Sequence, residues 1–183
     1  RADLQEKGLL SKADDYLNAS GKLAAILYKE EIERALKTPG FSGFQLLDLH
    51  DFPGQGTALV GLLDAFWDSK GIVAAEDFRN FCSPVVPLTR FPKAVYTNNE
   101  IFEATVEIAN YAASDIDNKK ILWNLFGPGR KSVASGYFDA AHIEKGKNSV
   151  IGKISASLNQ VTVATCLTLE VAVAETPYKN SWS

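Results

Sequence analysis

The chain reads as α+β: a helical segment carrying one strand, followed by an antiparallel β-sandwich of immunoglobulin type. Three observations predict this. Apolar residues recur at helical spacing through most of the first eighty residues, whereas from Ile101 onward they alternate with polar ones at strand spacing. Between the two blocks, Ser83–Lys93 carries Pro84, Pro87 and Pro92, the composition of an extended connector. The expected domains are residues 1–82 and 94–183, with a Pro-rich linker at 83–93.

Taken in order, Ser11–Ser20 is expected to form a short helix, with Ser11 as N-cap and Asp14 near the positive end of its dipole. A longer helix follows. Leu23, Ile26, Leu27, Ile32, Ala35 and Leu36 trace its apolar stripe, Lys29, Glu30, Glu33, Arg34 and Lys37 take the other face, and Pro39-Gly40 stops it. Phe41–Phe52 is expected as a strand, nearly continuous in apolar residues over Phe44–Leu49, as when both faces are buried. No comparable strand accompanies it in this half, so its partners are missing. After Pro53-Gly54-Gln55-Gly56, Ala58, Leu59, Leu62, Leu63, Phe66 and Trp67 predict a helix over Thr57–Lys70, capped by Thr57 and stopped at Gly71. A short helical turn is expected at Ala75–Phe81.

The second block predicts strands at Ala94–Thr97, Ile101–Ala109, Lys120–Leu125, Val133–Phe138, Val150–Ser157 and Cys166–Val173. In Ile101–Ala109, Phe102, Ala104, Val106 and Ile108 point inward and Glu103, Thr105 and Glu107 outward. About six short strands in about ninety residues, separated by turn signals, make the sandwich pattern.

Composition narrows the function classes. The 183 residues are 46% hydrophobic and 22% charged, as in ordinary globular chains. A net charge of −3 without a basic stripe argues against nucleic acid. No apolar run approaches the roughly 20 residues that span a bilayer. Cys82 and Cys166 are far apart and read as reduced thiols rather than a disulfide, with no metal-ligand spacing around them. The chain begins Arg1-Ala2-Asp3, holds no methionine and shows no targeting segment; processing and excision from a longer chain explain this equally well.

No motif predicts a cofactor or a metal. Gly54-Gln55-Gly56 lacks the spacing and lysine of a phosphate loop and reads as a strand-to-helix turn. Asp115, Asp117 and Asn118 lack the calcium-loop pattern. Asn18-Ala19-Ser20 matches a glycosylation acceptor, a triplet common by chance. No nucleophile elbow supports a Ser-His-Asp triad, and His142 reads as a solvated residue in a turn-rich stretch. Asp48, His50 and Asp51 gather at the end of the expected strand. They are either structural carboxylates and turn caps, or groups facing a polar pocket at a strand's carboxyl end.

The stretch GFQLLDLHDFPGQGTALVGLLDAFWDSKG, Gly43–Gly71, resembles the end of the catalytic barrel in family-two glycoside hydrolases, the β-galactosidase-like enzymes, in the version found in gut Bacteroidetes. NNEIFEATVEIANY and the closing TPYKNSW resemble the immunoglobulin-like domain that follows that barrel. The resemblance implies that Phe44–Asp51 is barrel strand eight and Thr57–Lys70 helix eight. The two catalytic glutamates of a retaining mechanism would then precede Arg1, so the chain alone is expected to be inactive and to carry no catalytic residue. Asp48, His50, Asp51 and Gln55 become candidate carbohydrate-binding groups at the barrel mouth, Asp48 in support. Phe52 either stacks on a sugar or packs, and Trp67 and Trp123 are expected in the core. The resemblance also implies a β-galactoside or related glycan as the parent's partner, and export to the periplasm or medium. A homodimer would cover the exposed barrel edges. The alternative is a free-standing, non-catalytic carbohydrate-binding module.

Overall fold

The computed structural model describes residues 1–56 and 59–183, which fall into two compact units: 1–35 with 42–78, and 36–41 with 79–183.

The first unit is built around helix α2, Ala13–Leu36, preceded by the short α1, Ala2–Glu6. The two helices expected around Ser20 are one, because Gly21 is followed by strong helix formers and faces Ile72. A Cβ at Gly21 would stand 2.9 Å from that side chain. The expected stripe holds only in part. Ile32 is buried, but Leu23, Ile26 and Leu27 are exposed, while Glu33 from the polar face is buried beside Lys29.

Two expected elements are absent. Phe41–Phe52 forms no strand; its one ladder contact is an isolated parallel bridge from His50 to Leu63. A strand without neighbours has nowhere to place its N–H and C=O groups, and here Leu49 and Asp51 bond the backbone of Leu63, while Phe41 and Phe52 bond the turns that flank the segment. The predicted helix 57–70 begins at Thr57 and Ala58, which lie outside the described residues, and 59–70 is not helical. Leu63 bridges both His50 and Ser69, Asp64 Oδ1 accepts the N–H groups of Phe66 and Asp68 (2.8 and 2.9 Å), and Trp67 is left-handed at φ 71°. These local bonds compete with the helical ladder and win. The expected turn of helix appears as α3, Ala75–Arg79.

The second unit is an antiparallel β-sandwich. Its strands are β1 (Val85–Arg90), β2 (Ile101–Asn110), β3 (Ile116–Phe126), β4 (Ser132–Ile143), β5 (Lys147–Ser157), β6 (Thr168–Val173) and β7 (Lys179–Trp182). They form one sheet in the order β1-β2-β5 and another in the order β4-β3-β6-β7. The chain is therefore α+β, mostly antiparallel sheet with one long helix. The core lies between the sheets, where Val106, Ile108, Ile121, Ile143 and Val171 are fully buried. Gly152 and Gly136 admit rings: a Cβ would come within 2.5 Å of Phe138 and 2.8 Å of Trp123.

The expected linker contains β1, a correction to the reading of 83–93. Val85 joins the inter-sheet core, while Val86 and Leu88 pack outward with Ala109 beneath Leu36. Burial on both faces outweighs the proline. Pro87 is tolerated because β1 is an edge strand. Conversely, Ala94–Thr97 is not a strand. Thr97 instead caps a turn through its N–H to Glu100 Oε2, 2.7 Å. Strand β7 is too short to give a periodic signal. Asn180 fixes it, donating its side-chain N–H to Pro87 O at 2.9 Å.

Candidate functional site

Of the residues singled out at the end of the expected strand, His50 and Asp51 lie side by side on a loop. Asp51 is 6% exposed, and its Oδ1 accepts from the Gly61 N–H at 3.0 Å and from Lys70 Nζ at 2.6 Å. The Lys70 hydrogen bond is the main reason the Asp51 carboxyl is held below the usual carboxylate range; burial pushes it up, and the Gly61 N–H pulls it down again. Gly61 has to be glycine, since a Cβ there would lie 2.4 Å from the His50 carbonyl carbon and 2.5 Å from the Asp51 nitrogen. The Asp51 N–H donates to Leu63 O and the Leu63 N–H to Leu49 O, both at 3.1 Å, so the two backbone segments are stitched on either side of His50.

His50 stands beside this clamp. Its Nδ1 is 2.6 Å from the carbonyl oxygen of Asp51. A carbonyl only accepts, so Nδ1 carries a proton and donates this bond. The ring lies 4.3 Å from Trp67, centroid to centroid, at 43°. Trp67, expected in the core, is 60% exposed, and its neighbour Phe66 is 85% exposed. The reason is Asp64, whose turn throws both rings outward. The site thus joins a buried carboxylate, a fixed imidazole and an exposed indole.

Asp48 is half-buried at φ 60°, and its charge is the second cause, after burial, of a raised phenol pKa at Tyr28. Gln55 is fully in the turn and exposed, its N–H on Phe52 O at 3.2 Å. The half-exposed Phe52 ring lies over Gly54, where a Cβ would meet it at 2.7 Å. The structure therefore brings together Asp51, His50 and two residues that sequence reasoning missed, Lys70 and Gly61, along with a misplaced Trp67. The missed signal was Lys70, which the sequence marked only as the end of the expected helix.

In the sandwich, His142 lies in β4 rather than in a turn, and its Nδ1 meets Asp117 Oδ1 at 2.7 Å. That bond chiefly raises its pKa. Glu107, expected to be wet, is 4% exposed and accepts from Arg90 Nε and Asn148 Nδ2, both at 2.5 Å. Cys82 and Cys166 are free thiols. Among the described residues, no helix is long and apolar enough to cross a membrane.

Residues 100–183 match a family described as a domain of unknown function, DUF8488. No curated protein sequence matches the chain. Among solved structures, the sporulation control protein Spo0M from Bacillus subtilis is 13% identical with a TM-score of 0.37, covering 55% of this chain and 47% of its own. A Parabacteroides merdae β-glucuronidase is 16% identical with a TM-score of 0.36 over 54% of this chain and 13% of its own. A Bacteroides uniformis β-glucuronidase 2 is 10% identical with a TM-score of 0.33, over 52% and 12%. The chain thus spans about half the length of Spo0M and about an eighth of either glucuronidase. A likeness of this size fixes neither activity nor substrate.

Proposed function

We propose that the chain is the C-terminal part of a β-galactosidase-like glycoside hydrolase and contributes one wall of a sugar pocket without catalysing hydrolysis itself. One observation carries this: the exposed Trp67 ring beside His50, next to the ionised Asp51. An apolar ring face with a polar imidazole at its edge suits a pyranose, which offers C–H on one side and hydroxyls around its rim. The resemblance of Gly43–Gly71 to a barrel end supports it. So does the fact that residues 44–51 have, among the described residues, no strand to pair with beyond the His50 bridge. The sheet orders β1-β2-β5 and β4-β3-β6-β7 favour the immunoglobulin-like reading of the sandwich, its fourth strand paired with the third. In this proposal the residues before Arg1 supply the catalytic glutamates, and the parent acts outside the cytoplasm on a β-galactoside or related glycan.

The test compares the parent gene product with residues 1–183 on nitrophenyl β-galactoside and β-glucuronide. Turnover is expected from the longer chain alone. In that chain His50→Ala should raise KM by up to about tenfold, the worth of one sugar hydrogen bond. A natural gene product that starts at Arg1 would sink the hydrolase reading. The alternative, a free-standing carbohydrate-binding module, is less well served by the sandwich. Its exposed Tyr111 follows β2 and Tyr137 lies on β4, so they belong to different sheets and make no common platform.

A further inference from the structure

At one end of the sandwich, where β1, β3, β5 and β7 finish and β2 and β6 begin, lies a cavity of about 620 Å³. The core residues Phe102, Leu125 and Leu169 form its floor, and Phe91, Tyr96 and Trp182 its walls. The rings support one another: Phe91 meets Trp182 edge-on at 6.1 Å and Tyr96 meets Phe102 at 5.5 Å. The segment Val161–Thr165 crosses the space as a strap, and a second cavity of about 280 Å³ lies against the same strap and Gly127–Val133. The strap is held at its start, by the Val161 N–H on Leu158 O at 2.8 Å and by the Gln160 side chain on Val133 O. Thr162–Cys166 is exposed and, among the described residues, shows no backbone hydrogen bond of its own.

Lys93 is the single charged side chain among the residues lining the larger cavity. It is already committed to Glu100. Lys93 first, and then the Thr97 N–H, hold the Glu100 carboxyl down to about 2, so the pair stays ionised through the neutral range. Among the described residues lining the larger cavity, no cation is left over to attract an anion.

We propose that this cavity binds one small, uncharged, largely apolar molecule beneath the Val161–Thr165 strap. Its volume falls within the roughly 300–1,000 Å³ usual for small-molecule sites, and walls of this kind give enclosed water few partners. Thr97 and Thr165 line the cavity; their Oγ1 protons are donated to Asn99 Oδ1 and to the Cys166 carbonyl, so what these hydroxyls offer a ligand is an acceptor for one hydroxyl. The neutralised lysine excludes carboxylates and phosphates as preferred ligands.

The probe is N-phenyl-1-naphthylamine, titrated into residues 1–183 and followed by fluorescence. Saturable binding of one molecule per chain is expected, together with slower alkylation by N-ethylmaleimide of Cys166, an exposed residue of the cavity wall. Val161→Asp, which places a charge in the wall, should weaken binding by about tenfold or more. Val150→Asp, at an exposed valine of β5 away from the cavity, should leave it unchanged. Absence of saturable binding, equal loss in both variants, or dye binding that vanishes as chains associate in light scattering would each overturn the proposal. Should Val161→Asp fail to fold, Cys166 protection in the unmodified chain decides.

Discussion

Lys70 and Asp51 are nineteen positions apart in sequence and share one short hydrogen bond. A carboxylate as buried as Asp51 survives without protonation only because an ammonium and a backbone N–H meet the same oxygen. Lys70→Met should therefore lower the melting temperature at neutral pH. The sign follows from the depressed Asp51 pKa. Its contribution is complete above the unfolded carboxyl value of about 3.9 and is lost as pH falls through the lower folded value. Wild type and variant should converge below that window in thermal melts; a gap that stays constant down to acid pH would reject the pair as its source. Residues of this kind were half legible. Asp51 and His50 stood out as polar groups ending an apolar run, whereas Lys70 and Gly61 acquire meaning only when the loop folds back. Glu107 misled because strand alternation predicts which face a side chain takes, not whether Arg90 and Asn148 cover it.

Among the elements, the sandwich strands with clean alternation, β2 above all, were legible because one of their faces is wet or polar. β1 was not, since burial on both faces removes the alternation and Pro87 imitates a linker. The helix over 57–70 failed for a different reason. Its apolar spacing is real, but Asp64 bonds the N–H groups of Phe66 and Asp68 and the backbone at Gly61 abuts His50. β7 pairs with β6, and Asn180 also ties it across to the opposite sheet through the buried Pro87 carbonyl. Asn180→Ala leaves that acceptor unmet and should cost about 1–3 kcal/mol of sandwich stability in urea denaturation. A loss below a few tenths would mean that water replaces the amide.

At the scale of the whole molecule, the two units differ in how well they satisfy themselves. The sandwich buries its apolar strand faces between two sheets, while the helical unit leaves Leu17, Leu23, Ile26, Leu27, Phe66 and Trp67 exposed. Surface of that kind is costly in water, and residues 1–183 are expected to associate through it. Light scattering at rising concentration should show a homodimer; a monomer throughout would count against any missing cover for this face.

The bond from Asn180 to Pro87 spans 93 positions of sequence. The first strand of the sandwich leaves the ribosome long before the last, and the register of that closing pair cannot be read until Lys179–Trp182 has emerged as well. The contact between β1 and β7 is thus a late event in synthesis, although β1 has its partner β2 as soon as Asn110 has emerged. Nascent chains halted with Asn180 still inside the exit tunnel should remain protease-sensitive in the emerged part of the sandwich. Chains given a C-terminal linker of a few tens of residues, which brings Asn180 out of the tunnel, should not be.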